Sequence, residues 1–401
     1  MGNLWTPLFS VTIFLLVFGV GDIISLKTKG LISGVVVAAI IYIGGYWTGI
    51  IPTDSVASTG LPTMLTAFMI PLLLVNLGTA INLEQLFAEW KTVTIAIIGL
   101  VGLGILSFTL SSWLFTREYA LCASSPIAGG TIAAIITTEA ATAAGKPQYG
   151  AFAMLVVAFQ MFIGMPVASY MLKKEANSLL TKGVHTGSAQ QQNTRKFNLR
   201  FIPETPPQYQ TSVILTCKVA LIAVISYYIA NLTVIPGSNP VNYILNPNIA
   251  YLLFGILFCE FGFLEKGSLQ KANMNGFMML GLYALTPSSF TTITPAALKE
   301  MLIPLVGTLI VGSLGIAVFS AICGKFLGYS APLSIAIGMC ALIGYPGTQI
   351  ITDDVVNALS ASTEEKAAIN DILLPKMLVG GFATVTIASV IFAGIVTPLI
   401  F

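Results

Sequence analysis

The sequence predicts an all-α integral membrane protein built as two inverted repeats. Three observations carry that expectation. Of 401 residues, 56% are hydrophobic and 8% are charged, with a mean hydropathy of +0.89; soluble domains carry about 25% charged residues. Apolar runs of membrane-crossing length recur along the chain with few charges inside them. Two further apolar runs, at matching places in the two halves, are broken by glycine and proline.

Composition also narrows function. A net charge of +2, thinly spread, leaves no basic patch, so the lipid bilayer is an expected partner and nucleic acid is not. The cysteines (Cys122, Cys217, Cys259, Cys323, Cys340) lie in apolar runs without metal-site spacing, which fits small buried hydrophobes. The one histidine, His185, sits in a polar stretch, so histidine catalysis and metal ligation are poorly supplied. With no P-loop and no nucleophile–base set, neither an ATP-driven pump nor an enzyme is expected, and no cofactor is called for. Phe9–Val20 follows no basic segment and meets no cleavage site, so a retained helix is expected there rather than a signal peptide.

Crossing helices are expected at 5–26, 31–51, 62–81, 92–115 and 150–172, then at 211–230, 247–264, 273–290, 301–323 and 370–400. The intervening run 121–144 is interrupted by Pro126, Gly129 and Gly130 and is too short for two crossings of roughly 20 residues each. Broken backbone at membrane depth persists only where protein or a wet cavity satisfies it. A re-entrant hairpin is therefore expected at 121–144, and a second at 331–358 around Gly344, Pro346 and Gly347. The stretch 173–208, rich in Lys, Gln, Asn and Pro, is expected to be a cytoplasmic linker between a first repeat, 1–172, and a second, 209–401.

The halves repeat one another in sequence. Glu89–Phe108 (EWKTVTIAIIGLVGLGILSF) lies over Glu300–Phe319 (EMLIPLVGTLIVGSLGIAVF) at an offset of 211. Gly130-Thr131 matches Gly347-Thr348, and Gln160 through Gly164 matches Lys376 through Gly380. Five crossings per half, an odd number, invert the second half. With both termini outside, 13 of the 18 Lys and Arg residues fall on the cytoplasmic side and 3 outside, as the positive-inside rule asks.

Candidate functional residues cluster at the hairpins. Gly129, Gly130, Thr131 and, in the second half, Tyr345, Gly347 and Thr348 are expected at the tips. There glycine lets backbone approach a ligand, helix N-termini favour a carboxylate, and broken-helix carbonyls and threonine hydroxyls suit a hard cation such as Na⁺. Close helix packing is the alternative use for those glycines. Thr137-Thr138-Glu139 and Thr352-Asp353-Asp354 occupy similar places in the two hairpins and are candidate ion or proton sites, or else carboxylates at the water boundary. Lys376, in an apolar run after Pro375, would meet a substrate carboxylate, neutralise Asp353, Asp354 or Asp371, or snorkel to the headgroups. Asn76, beside Pro71, would complete an ion site or make an interhelical hydrogen bond.

This layout resembles the bacterial sodium–glutamate symporter family and related sodium-coupled carboxylate carriers. The resemblance is carried by Pro126-Ile-Ala-Gly129-Gly130-Thr131 and Cys340-Ala-Leu-Ile-Gly344-Tyr-Pro-Gly347-Thr348, although Thr131 stands where that family's first loop has a histidine. It implies Na⁺-coupled symport of a small carboxylate or amino acid in a bacterial inner membrane. It also implies an elevator-type movement of a hairpin-bearing domain against a scaffold, and a homodimer. A proton-coupled organic-anion carrier or exporter using Glu139 and Asp353/Asp354 is the alternative, with a channel behind it.

Overall fold

A computed structural model describes residues 4–28, 34–80, 83–181, 201–203, 205–234, 243–344 and 347–400. Among these residues the chain is helical throughout, with no strand beyond an isolated bridge between Val234 and Tyr243. The first half contains α1 (Pro7–Lys27), α2 (Gly34–Thr48), α3 (Leu61–Thr79) and α4 (Trp90–Leu114). It continues with α5 (Arg117–Gly129), α6 (Thr131–Ala143), α7 (Pro147–Phe159) and α8 (Met161–Thr181). The second half contains α9 (Ser212–Asn231), α10 (Pro247–Glu260), α11 (Asn275–Ser289) and α12 (Pro295–Leu327). It ends with α13 (Ala331–Ile343), α14 (Gly347–Asn357), α15 (Thr363–Phe382) and α16 (Ser389–Val396).

Local chemistry sets the boundaries. Thr211, Asn246, Thr294 and Ser330 each accept a first-turn N–H at the start of α9, α10, α12 and α13, and Ser362 with Glu365 forms a reciprocal capping box on α15. Gly328, with φ 81°, ends α12 in the left-handed conformation. The irregularity expected near Pro71 is a π-turn at Leu65–Met69, just before the residue that lacks an N–H.

Among the described residues, seven helical spans are long and apolar enough to cross a membrane: Pro7–Ile24, Leu61–Thr79, Trp90–Leu114, Pro147–Thr181, Ser212–Asn231, Pro295–Leu327 and Thr363–Leu399. Three of the ten expected crossings are shorter. The helices α2, α10 and α11 have 15, 14 and 15 residues, about 21–23 Å at the α-helical rise, against a hydrocarbon core of about 30 Å. The expected linker also begins later than position 173, because α8 carries its helix through Thr181.

The two sequence-matched helices α4 and α12 pack on each other along their length through glycine. A Cβ added at Gly102 would lie 2.5 Å from the Gly315 carbonyl oxygen, and one at Gly315 would lie 2.6 Å from that of Gly102. Backbone-to-backbone contact is how membrane helices gain dispersion energy where no hydrophobic drive exists between them. Gly102→Leu is expected to destabilise the protein by about 3 kcal/mol. Gly44→Ala, at a position with nothing within 4 Å, should stay within about 1 kcal/mol of wild type. Thermal unfolding in detergent checks both.

Residues 201–203 and 205–210, at the far end of the polar stretch, are strapped to the turn after α10. Ile202 N–H donates to the Phe261 carbonyl at 3.0 Å, and Gln210 Nε2 to the Thr205 carbonyl at 2.7 Å. Beneath them Lys218 Nζ lies 2.9 Å from Glu265 Oε1, donates to Thr205 Oγ1 at 2.6 Å, and sits 5.2 Å from the Phe263 ring centroid, while Thr205 hydrogen-bonds Glu265. Burial pushes the Glu265 carboxyl up, but the hydrogen bonds from Thr205 and Lys218, with the Lys218 charge, outweigh it and hold the carboxyl below its usual range. A depressed folded pKa stabilises the strap above the unfolded value of about 4.3 and loses that contribution as pH falls through the folded value. Hydrogen exchange at 205–210 is expected to rise on acidification below about pH 4, with the step absent in Glu265→Gln.

Candidate functional site

The site is built from two broken helix pairs. The arms α5, α6 and α13 have 13 residues each and α14 has 11, about 17–20 Å of helix, shorter than a hydrocarbon core of about 30 Å. The first pair turns back on itself. Lys146 Nζ lies 3.7 Å from Glu118 Oε1, and the Tyr119 and Tyr149 rings meet edge to face at 5.1 Å, which brings the two ends of 118–149 together. Continuous helix over that stretch would separate its ends by roughly 45 Å.

Both breaks are glycines in a backbone region closed to other residues. Gly130 has φ 71° and ψ −140°, and Gly344 has φ 67° and ψ 176°. Each break is bracketed in the same way. Gly130 N–H donates to the Pro126 carbonyl at 2.6 Å and the Gly130 carbonyl accepts from Ala134 N–H at 3.1 Å; Gly344 N–H donates to the Cys340 carbonyl at 2.9 Å and the Gly344 carbonyl accepts from Thr348 N–H at 3.0 Å. The second break is thus at Gly344, three residues before Gly347, which is the first residue of α14.

Each half's last helix serves both pairs. The helix α7 packs on both arms of the first pair, α5 and α6, and its continuation α8 packs on both arms of the second, α13 and α14. Likewise α15 packs on α13 and α14, and its continuation α16 packs on α5 and α6. The changeovers are irregular. Gln160 ends α7 and begins α8, its carbonyl accepting both Ile163 N–H at 3.1 Å and Gly164 N–H at 2.9 Å. A π-turn at Ala383–Ala388 joins α15 to α16, beside the Thr384 hydroxyl, which donates back to the Gly380 carbonyl at 2.8 Å.

The two breaks converge on these changeovers. A Cβ at Gly130 would lie 3.5 Å from Gln160 Nε2, and one turn on, a Cβ at Gly164 would lie 2.7 Å from Leu342 Cβ and 3.2 Å from Ile343 Cγ1, just before Gly344. On the other helix, Ser389 fills the space against Gly129, Val385 lies 3.4 Å from a Cβ at Gly344, and Thr348 lies 3.1 Å from one at Gly381. Four residues of helix span about 6 Å, so both breaks fall within a turn or two of each other. No residue from Cys122 to Thr138 or from Gly338 to Thr352 is charged. An apolar furrow of about 390 Å³ lies elsewhere, along one face of α1 from Thr12 to Ile23, and carries no comparable polar group.

The sequence-predicted residues divide accordingly. Gly129, Gly130, Thr131, Gly347 and Thr348 are at the breaks, while Tyr345 lies outside the described residues. Thr137, Thr138 and Thr352 donate to carbonyls one turn back, at 3.0, 2.8 and 2.8 Å, which leaves hydroxyl lone pairs for other partners. Glu139, Asp353 and Asp354 are half-buried. Two of the sequence-predicted side chains are engaged by distant partners. Lys376 does not offer a free ammonium to a substrate: its Nζ lies 3.5 Å from Glu89 Oε1 and 6.0 Å from the Tyr329 ring, and Thr92 also donates to Glu89. Asn76 is used structurally, its Oδ1 accepting Leu269 N–H at 2.8 Å and its Nδ2 donating to Gln270 at 3.1 Å. Sequence reasoning missed Gln160 and the Val385–Ser389 turn; a lone polar residue in the apolar run 150–164, aligned with Lys376, was the available signal. Among the described residues no three His, Cys, Asp or Glu side chains gather as a metal site. Compared with known families and with curated proteins, the chain matches no family model and no curated protein.

The Glu89–Lys376 pair yields a direct test. Removing one partner of a largely buried pair leaves an uncompensated charge, whereas removing both does not. Lys376→Met alone is expected to lower the unfolding temperature more than Lys376→Met combined with Glu89→Gln, as differential scanning fluorimetry would read.

Proposed function

We propose that the protein is a secondary active transporter that carries a small carboxylate or amino acid together with sodium across a bacterial inner membrane. In this reading the chain is two inverted repeats with both termini outside. The pairs α5–α6 and α13–α14 are re-entrant hairpins, and the domain that bears them moves in elevator fashion against a scaffold within a homodimer. The resemblance to sodium–glutamate symporters implies the coupling ion and the substrate class.

One observation carries the proposal. Two glycine-broken helix pairs, at equivalent places in the halves, converge on the interrupted middles of two long helices. Discontinuous helices of this kind are how transporters place dipole ends and free backbone groups around a site near the midplane. A channel more often shares its pore among subunits, whereas here the convergence lies within one chain. The half-buried Glu139 on the first pair favours one second reading, proton coupling through that carboxyl.

Uptake of labelled amino and carboxylic acids into proteoliposomes, under an imposed Na⁺ or pH gradient, tests both readings. Accumulation is expected to follow Na⁺ and to fall at least about tenfold in Gly347→Val, because a side chain there meets Ile343 Cγ2 at 2.6 Å and forces the packing at the break to shift. Accumulation that follows only the pH gradient and is abolished by Glu139→Gln would establish the second reading instead.

A further inference from the structure

The two breaks hold buried polar atoms that the protein leaves without partners. Gln160 is 4% exposed and Thr348 0% exposed, yet among the described residues neither Gln160 Oε1 nor Thr348 Oγ1 has a hydrogen-bond partner. Both belong to the convergence of the two breaks, Gln160 against Gly130 and Thr348 against Gly381. A buried orphan acceptor costs free energy unless something fills it. Beside Gln160 starts α6, a helix of 13 residues whose first-turn N–H groups lack intrahelical acceptors and carry the positive end of the helix dipole. Unfilled acceptors next to unfilled donors call for a ligand that brings both kinds of group.

Charge restricts that ligand further. The tips carry no charged side chain, and the Lys376 ammonium is already paired with Glu89. A second carboxylate would enter a low-dielectric site without a counter-charge, which is strongly unfavourable, while a zwitterion enters with no net charge.

Building on the transporter reading, we propose that Gln160 and Thr348 are ligand-binding residues of a single site between the Gly130 and Gly344 breaks. The site takes a zwitterionic amino acid with an uncharged side chain. Its carboxylate meets the first-turn N–H groups of α6, and its ammonium donates to Gln160 Oε1 and Thr348 Oγ1. Gln160 is then the specificity residue: it selects for an amino group, and the uncharged tips select against a second acid.

The test is equilibrium binding to purified protein in detergent with sodium chloride present, using labelled L-alanine, L-serine, L-leucine and L-glutamine. Propionate, which is alanine without its ammonium, succinate and L-glutamate serve as competitors. At least one neutral amino acid is expected to bind about tenfold or more tightly than propionate, succinate and glutamate, and Gln160→Leu is expected to weaken that binding by about ten- to a hundredfold. Thr348→Val, nearly isosteric, should weaken it in the same direction. Because Gln160→Leu removes a buried orphan, the ligand-free variant should unfold at the wild-type temperature or above, a readout that a merely structural role for Gln160 would reverse. Propionate, succinate or glutamate binding as tightly as the best neutral amino acid would overturn the proposal. So would unchanged affinity in both variants, or no binding of any amino acid at millimolar concentration. Binding is read without a gradient, so loss of Na⁺-driven uptake with this pattern intact would remove the transport reading and leave the site.

Discussion

The structure turns on a backbone constraint. Interrupting a helix among apolar neighbours frees N–H and C=O groups that lipid cannot satisfy, and this chain interrupts two helical pairs in its interior. Gly130 and Gly344 limit the damage, since each resumes hydrogen bonding within four residues on either side. Bringing backbone close enough to seal such positions requires small residues, which explains why Gly129 meets Ser389 and Gly164 meets Leu342 with no room for a side chain between them.

The exchange of partners by the last helices follows from the same need. One straight helix cannot cover both pairs equally, so each last helix covers its own pair first and the opposite pair after an irregular turn, at Gln160 in one half and at Ala383–Ala388 in the other. Each break is thereby walled by one helix from each half. An alteration at either turn would be felt at both breaks, and in the proposed mechanism this lets ligand captured at one tip fix the position of the other. The α4–α12 pair, packed glycine to glycine, stands behind them as a continuous support.

Much of this was legible in the sequence, and the failures share a cause. The broken pairs could be read because glycine and proline clustered inside an apolar run interrupt a continuous helix by their backbone chemistry alone. The order of the halves could be read because their motifs recur at near-constant spacing. The second break falls inside the expected Gly344–Gly347 stretch, and only φ singles out Gly344. Which use Lys376 has was not legible, because its partner, Glu89, lies 287 positions away. For Asn76 the sequence left an ion site and a hydrogen bond open, its partners lying nearly two hundred residues on. Gln160 was visible as a polar residue in an apolar run, but its orphaned oxygen is a property of packing and leaves no local pattern. The short lengths of α2, α10 and α11 were hidden because the turn residues that end them are themselves apolar or small.

A cryo-EM map of the protein in a lipid nanodisc, with bilayer density visible, tests the central claim most directly. The expected result places Gly130 and Gly344 both near half depth, with Gln160 against one break and Val385 against the other. Breaks lying at opposite headgroup layers, or either helical pair running straight through the bilayer, would contradict it.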